Sequence, residues 1–210
     1  GGNYNVVVGD EAGTAITTGD GNVAVGFEAG NDITTGSYNT IMGWKAGDKI
    51  STGGSNTAIG DAAIGSDTLG QKSVAIGSNT LNAQNFTTAT DTYNTAMGWN
   101  AGAAVTTGRL NTLIGGLAGD ALTESTHNVA VGYQALSSDT LGSKSVALGM
   151  NALKVQNFTT ATDTYNTAVG YTAGLNITTG IQNTIIGALA GDALTDADFN
   201  VALGVASLSV

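Results

Sequence analysis

From Asn22 the chain reads Asn-Val-Ala-Val-Gly: one polar residue, three apolar ones, then glycine. The same phrase begins at Asn5, Asn22, Asn39, Asn56, Asn94, Asn111, Asn128, Asn166, Asn183 and Asn200, with serine in place of asparagine at Ser73 and Ser145. Residues i and i+2 of so short an apolar run share one face of a strand. Nowhere do apolar residues recur at i, i+3, i+4 and i+7 over several turns, so helix is not expected. Each phrase closes on a glycine, from Gly9 and Gly26 to Gly187 and Gly204, and a constant glycine at a turn points to a positive φ or a close backbone approach. A second short strand is expected around Ile16, Ile33, Ile50, Val105 and Ile177, each followed by Thr or Ser.

The phrases are 17 residues apart, except after Ser73 and Ser145, where the spacing is 21. Three short spacings and one long one give a period of 72, which explains why Gln84 to Ala96 is repeated letter for letter from Gln156 to Ala168. The spacing predicts an all-β chain: a parallel β-roll, or β-solenoid, of twelve 17- or 21-residue coils forming a single domain over residues 1–210. Larger repeats cover 22–93, 94–165 and, in part, 166–210. Coils stacked at about 4.8 Å would make a rod of roughly 55 to 60 Å.

Within each phrase the residue before the glycine is always large and apolar, as at Val25, Met42, Ile59 and Leu148, and this column is expected to face inward. The position between would then face outward: Ala24, Ile41, Ala58, Ala75, Ala96, Leu113, Ala130, Ala147, Ala168, Ile185 and Ala202. A strip of that length exceeds the apolar patch of an ordinary monomer. It is therefore expected to meet sister chains in a homo-oligomer.

Ser73-Val74-Ala75-Ile76-Gly77 and Ser145-Val146-Ala147-Leu148-Gly149 resemble the repeats of YadA-like trimeric adhesin heads, and Tyr93 to Gly102 is similar to repeats of phage tail-fibre proteins. The likeness runs over the whole chain on a short motif, with coils longer than those of the adhesin heads. It implies a left-handed roll, a homotrimer and a place on an extracellular fibre, at a cell surface or on a virion.

Composition narrows the chemistry. There are 32 glycines, no proline and no cysteine, and only 10% of residues are charged. Disulfides and thiolate metal sites are therefore out of reach. A net charge of −10 with six Lys and Arg argues against nucleic acid as a partner. No apolar run approaches the ~20 residues of a spanning helix, so membrane insertion by this segment is not expected. The sequence starts and stops inside a repeat, as a segment of a longer fibre would. One histidine, His127, and no nucleophile or phosphate-loop motif predict neither an enzyme nor a metal or cofactor site.

Two groups remain as candidate contacts. After the glycine comes a variable position holding Phe27, Trp44, Trp99, Tyr133 and Tyr171, whose rings could stack on sugars or pack over a neighbouring loop. The long turns offer Asn85, Phe86, Asp91, Asn157, Phe158 and Asp163, either to a ligand or to stiffen the shaft. A column of Thr17, Thr34, Thr106, Thr123 and Thr178 raises ice binding, but the column beside it is broken by Leu69, Glu124 and Asp196. The expected function is a structural and receptor-binding segment that attaches to a cell-surface glycan or protein by many weak contacts. The alternatives are a spacer without its own ligand and, less favoured, an ice-binding protein.

Overall fold

A computed structural model describes residues 1–209. Each repeat phrase contributes one three-residue strand, from Val6–Val8 and Val23–Val25 through Thr95–Met97 to Val201–Leu203. The twelve strands form one parallel sheet in order along the rod, and equivalent residues face one another at every step, as Ala58 faces Ala75 and Ala75 faces Ala96. The fold is thus a parallel β-solenoid of about twelve turns without helix. The second strand is realised only as two-residue pairs beside the long turns, Gly70–Gln71 with Thr90–Asp91 and Gly142–Ser143 with Thr162–Asp163. Elsewhere that wall is bent. It still bonds from rung to rung, with Thr17 N donating to Thr34 O at 2.9 Å and Thr34 N to Ser51 O at 2.9 Å.

The two faces of the sheet are reversed from the expectation. Ala24, Ile41, Ala58, Ala75, Ala96, Leu113, Ala130, Ala147, Ala168, Ile185 and Ala202 line the interior of the roll, at most 2% exposed. They are therefore not surface available to another chain. The Val/Thr column and the Val/Ile/Met/Leu column point outward instead. Size explains the reversal. In most coils the two walls stand so close that the sheet side takes only a methyl group and the volume is filled from the opposite wall; Ile41, Leu113 and Ile185 fit because their side chains extend over glycines there, such as Gly47, Gly119 and Gly191.

That filler is supplied in one of two ways. Where the residue facing the sheet is Ile33, Ile50, Val105, Leu122 or Ile177, the residue three places earlier is Gly30, Gly47, Gly102, Gly119 or Gly174. A Cβ on Gly30 would lie 2.7 Å from Ile33 Cδ1, so both sites cannot carry bulk. In the coils beside the long turns the large residue moves to the earlier place, as Ile64, Leu81, Leu136 and Leu153, and the later place becomes Asp67, Gln84, Asp139 and Gln156. Ile64 and Leu81 then adopt φ of 51° and 49°, a left-handed conformation costing about 1–2 kcal/mol that a buried aliphatic side chain offsets.

The asparagine column closes the core at one corner. Asn22 Nδ2 donates to Gly36 O at 2.9 Å, and Asn22 Oδ1 accepts from the Asn39 backbone N–H at 3.0 Å. Asn39 repeats both bonds toward Gly53 and Asn56. Buried backbone groups are thereby paired where the chain turns and no strand partner is available. The glycine column opposite is fixed by contact: Gly60 has φ +134°, and a Cβ there would lie 2.5 Å from the Gly77 carbonyl.

Asn111→Ala removes bonds to Ser125 O and from Asn128 N, leaving buried groups unpaired. It is expected to cost about 2–4 kcal/mol, read from the midpoint of chemical denaturation. Deleting residues 94–165, which joins Tyr93 to Asn166, is expected to leave a folded rod. Its circular dichroism should be unchanged in shape and its longest dimension in solution shorter by roughly 19 Å, four rungs.

Candidate functional site

The long turns are anchored from beneath. Asp67 Oδ1 accepts from the backbone N–H of Gly70 and of Phe86, both at 3.0 Å, and Asp67 Oδ2 accepts from Gln84 Nε2 at 2.5 Å. Gln84 also donates to Ser73 Oγ at 2.9 Å, and its Oε1 accepts from Asn94 Nδ2 at 2.9 Å. Gln84 therefore stands in for the asparagine that Ser73 lacks. The second turn repeats the network with Asp139, Gln156, Ser145 and Asn166. Phe86 and Phe158 are 6% and 7% exposed, so these two candidate contacts are buried plugs under the turn and not ligand residues. What the turn exposes is Thr87, Thr88 and Ala89, with Asn85 at its foot accepting from Thr68 Oγ1, and Asn157 placed likewise against Thr140.

Asp91 is half-buried and Asp163 exposed, and both are paired. Lys72 Nζ lies 2.6 Å from Asp91 Oδ2, 3.2 Å from Tyr93 Oη and 5.2 Å from the centre of the Tyr93 ring. Lys144, Asp163 and Tyr165 reproduce the cluster. The aspartate hydrogen bond holds the Lys72 and Lys144 ammonium groups above their ordinary range, and the Lys72 bond holds the Asp91 carboxyl below its own. Exposed pairs of this kind add little stability. They fix the shape and polarity of a surface.

The aromatic column lies on a ridge at one edge of the sheet. Trp44, Trp99, Tyr133 and Tyr171 are 55%, 56%, 49% and 53% exposed. Phe27 is covered by Trp44, the ring centres 4.3 Å apart and the planes 25° from parallel. The aromatic residues and the long turns are therefore separate surfaces on one rod. A third surface is the outward face of the sheet, where two positions on each of twelve strands carry only Val, Thr, Ile, Met and Leu.

The threonine column donates inward along the rod. Thr17, Thr34, Thr106, Thr123 and Thr178 each donate a hydroxyl proton to a carbonyl of the next coil, at 3.0 to 3.3 Å. This engages the donors that an ordered-water surface would use. Among the described residues no group of three or more His, Cys, Asp and Glu is gathered as metal ligands, no cavity is present, and no helix is long and apolar enough to cross a membrane. The chain matches no family model, no curated protein and no solved structure.

Asp48, Asp120 and Asp192 are equivalent, but only Asp48 has a cation beside it, Lys49 Nζ at 3.4 Å; Ala121 and Ala193 follow the other two. Asp120 Oδ1 is buried with no hydrogen-bond partner, and burial pushes its carboxyl up from the ordinary range. A folded-state value above the unfolded one means that the contribution is favourable in acid and lost as pH rises through the folded value. Asp120→Asn is accordingly expected to raise the melting temperature at neutral pH and to give no gain near pH 3, checked by thermal melts across that range.

Proposed function

We propose that this chain is a structural and receptor-binding segment of an extracellular fibre, in which rods associate side by side through the outward sheet face and hold repeated surface patches toward a cell-surface glycan or protein. The observation that carries the reading is that face. A chain with 22 Lys, Arg, Asp and Glu places none of them in the two outward columns over twelve successive rungs. Met42, Met97 and Ile186 are each about two-fifths exposed there. The strip runs roughly 53 Å, eleven steps of the rung spacing, and an uncharged apolar strip of that length favours a partner.

A second copy of the chain is the partner of choice because the strip repeats at the rung spacing. A parallel neighbour can meet each Val or Ile with the same side chain in the same register. The homotrimer and left-handed winding proposed here follow the resemblance of Ser73 to Gly77 and Ser145 to Gly149 to YadA-like adhesin-head repeats. In such a bundle the aromatic ridge and the long turns lie outside the contact, and the turns recur about every 19 Å. Weak contacts then add through repetition, the effective concentration at each site being set by its tethered neighbours.

Sedimentation equilibrium of the chain is expected to give a trimer. Ile114→Glu together with Val131→Glu, on adjacent rungs of the outward face, is expected to shift it to monomer at micromolar concentration with the strand signal in circular dichroism retained. A monomeric parent chain would overturn the reading. A glycan or surface-protein array probed with the assembled chain tests the receptor role, and complete silence would leave a spacer.

A further inference from the structure

Three asparagines are followed two places later by threonine: Asn85, Asn157 and Asn176. Asn-x-Thr is the acceptor pattern for N-linked sugar, which joins the amide nitrogen with the help of the threonine hydroxyl, so both groups must be free and reachable. The structure tells the three apart. Asn176 Nδ2 donates to Asp192 O at 2.8 Å, and Thr178 Oγ1 donates to Thr195 O at 3.1 Å. The next coil therefore occupies both groups of that triplet.

Asn85 and Asn157 are free where Asn176 is held. Both are exposed at the foot of a long turn, with the backbone N–H fixed to Thr106 O and Thr178 O at 3.0 Å. Thr68 Oγ1 lies 3.4 Å from Asn85 Oδ1, and Thr140 Oγ1 lies 3.1 Å from Asn157 Oδ1, which turns each amide oxygen toward the preceding coil. Each Nδ2 is left without a hydrogen-bond partner among the described residues. Phe86 and Phe158 are plugged beneath the turn, and alternation along an extended segment then sends Thr87 and Thr159 outward with the asparagines. Neither of these hydroxyl groups is bonded to a described residue, because the lengthened turn carries them clear of the next coil. The side chains that follow, Thr88 with Ala89 and Thr160 with Ala161, are small and exposed, so the approach is open.

We propose that Asn85 and Asn157 are acceptor sites for an N-linked hexose, added to the folded rod from a nucleotide-activated donor, and that Asn176 is not. The amide Nδ2 attacks the anomeric carbon of a hexose carried on a nucleoside diphosphate. The carbon–nitrogen bond forms as the bond from that carbon to the phosphate oxygen breaks. The nucleoside diphosphate leaves with the electron pair, and the amide gives up one proton to a base of the transferase. A donor used after folding is the one that fits, since folding is what distinguishes Asn176 from the other two. The two sugars would stand about 19 Å apart, four rungs, and would not meet. They lie on the turns, outside the apolar sheet face, and would set hydrophilic stubs along the shaft at a fixed interval.

Incubation of the folded chain with a soluble N-glucosyltransferase and UDP-glucose, followed by intact mass and peptide mapping, tests it. Two hexoses are expected, on Asn85 and Asn157, with Asn176 reacting at least about tenfold more slowly, the factor that two modest hydrogen bonds supply. A proteolytic digest of the same chain, in which the fold is gone, should take sugar at all three. Thr87→Val should abolish the reaction at Asn85 and leave Asn157 as the internal control, and circular dichroism reports that the variant is folded. No hexose on the folded chain would overturn the proposal. So would Asn176 reacting as fast as Asn85 in the folded chain, a digest that still spares Asn176, or a Thr87→Val chain that is modified at Asn85 as before.

Discussion

Rung-to-rung registration is the constraint on which everything else in this rod depends. Every coil bonds to the next through its backbone at the same offset, Val23 opposite Thr40 and Thr40 opposite Thr57, and side chains reinforce that offset at two corners. The asparagine column does so by pairing buried backbone groups across coils, and the threonine column by donating to the next carbonyl. A slip by one residue would turn the alanines outward and drive Ile59 or Ile76 into places that alanine fills. Because the register is so strongly held, any property of one coil is projected along the rod as a column. The apolar face, the aromatic ridge and the line of turns are all such projections.

The period, the stacking and the existence of distinct columns were legible because repeats force equivalent residues into equivalent places. The direction of the two sheet faces was not. Alternation says that Ala24 and Val25 point opposite ways, and it is silent on which is inside. Reading the larger residue as the buried one holds where two layers pack at ordinary separation, and fails in a coil this narrow. A signal was present in the exchange between Gly30 with Ile33 and Leu81 with Gln84: bulk at either place excludes bulk at the other, which marks the opposite wall as the source of core volume.

The candidate contacts divide along similar lines. Exposure of the ridge residues followed from the variability of their column, and the structure finds Trp44, Trp99, Tyr133 and Tyr171 half-exposed. In the sequence the residues of the long turns stand as one set of candidate contacts, whereas Phe86 and Phe158 are folded beneath the turns and Asp91 and Asp163 are held by lysine. Local sequence could not reveal that, since Lys72 lies 19 residues before its partner and only the lengthened coil brings the two together. The place of Gln84 in the asparagine column was hidden for the same reason: it arrives from ten residues before Asn94 and from another corner.

The buried carboxamide and carboxylate of Gln84 and Asp67 belong to successive coils, and so do Gln156 and Asp139. Elsewhere a coil holds its neighbour by the same modest set of bonds, so that a rod pulled or heated from one end would shed turns singly, like a zip. At the two clasps, one turn cannot leave without stripping the other of its internal acceptor and without laying bare a phenylalanine. These places act as ratchet stops against progressive fraying, and they divide the rod into lengths that open as wholes.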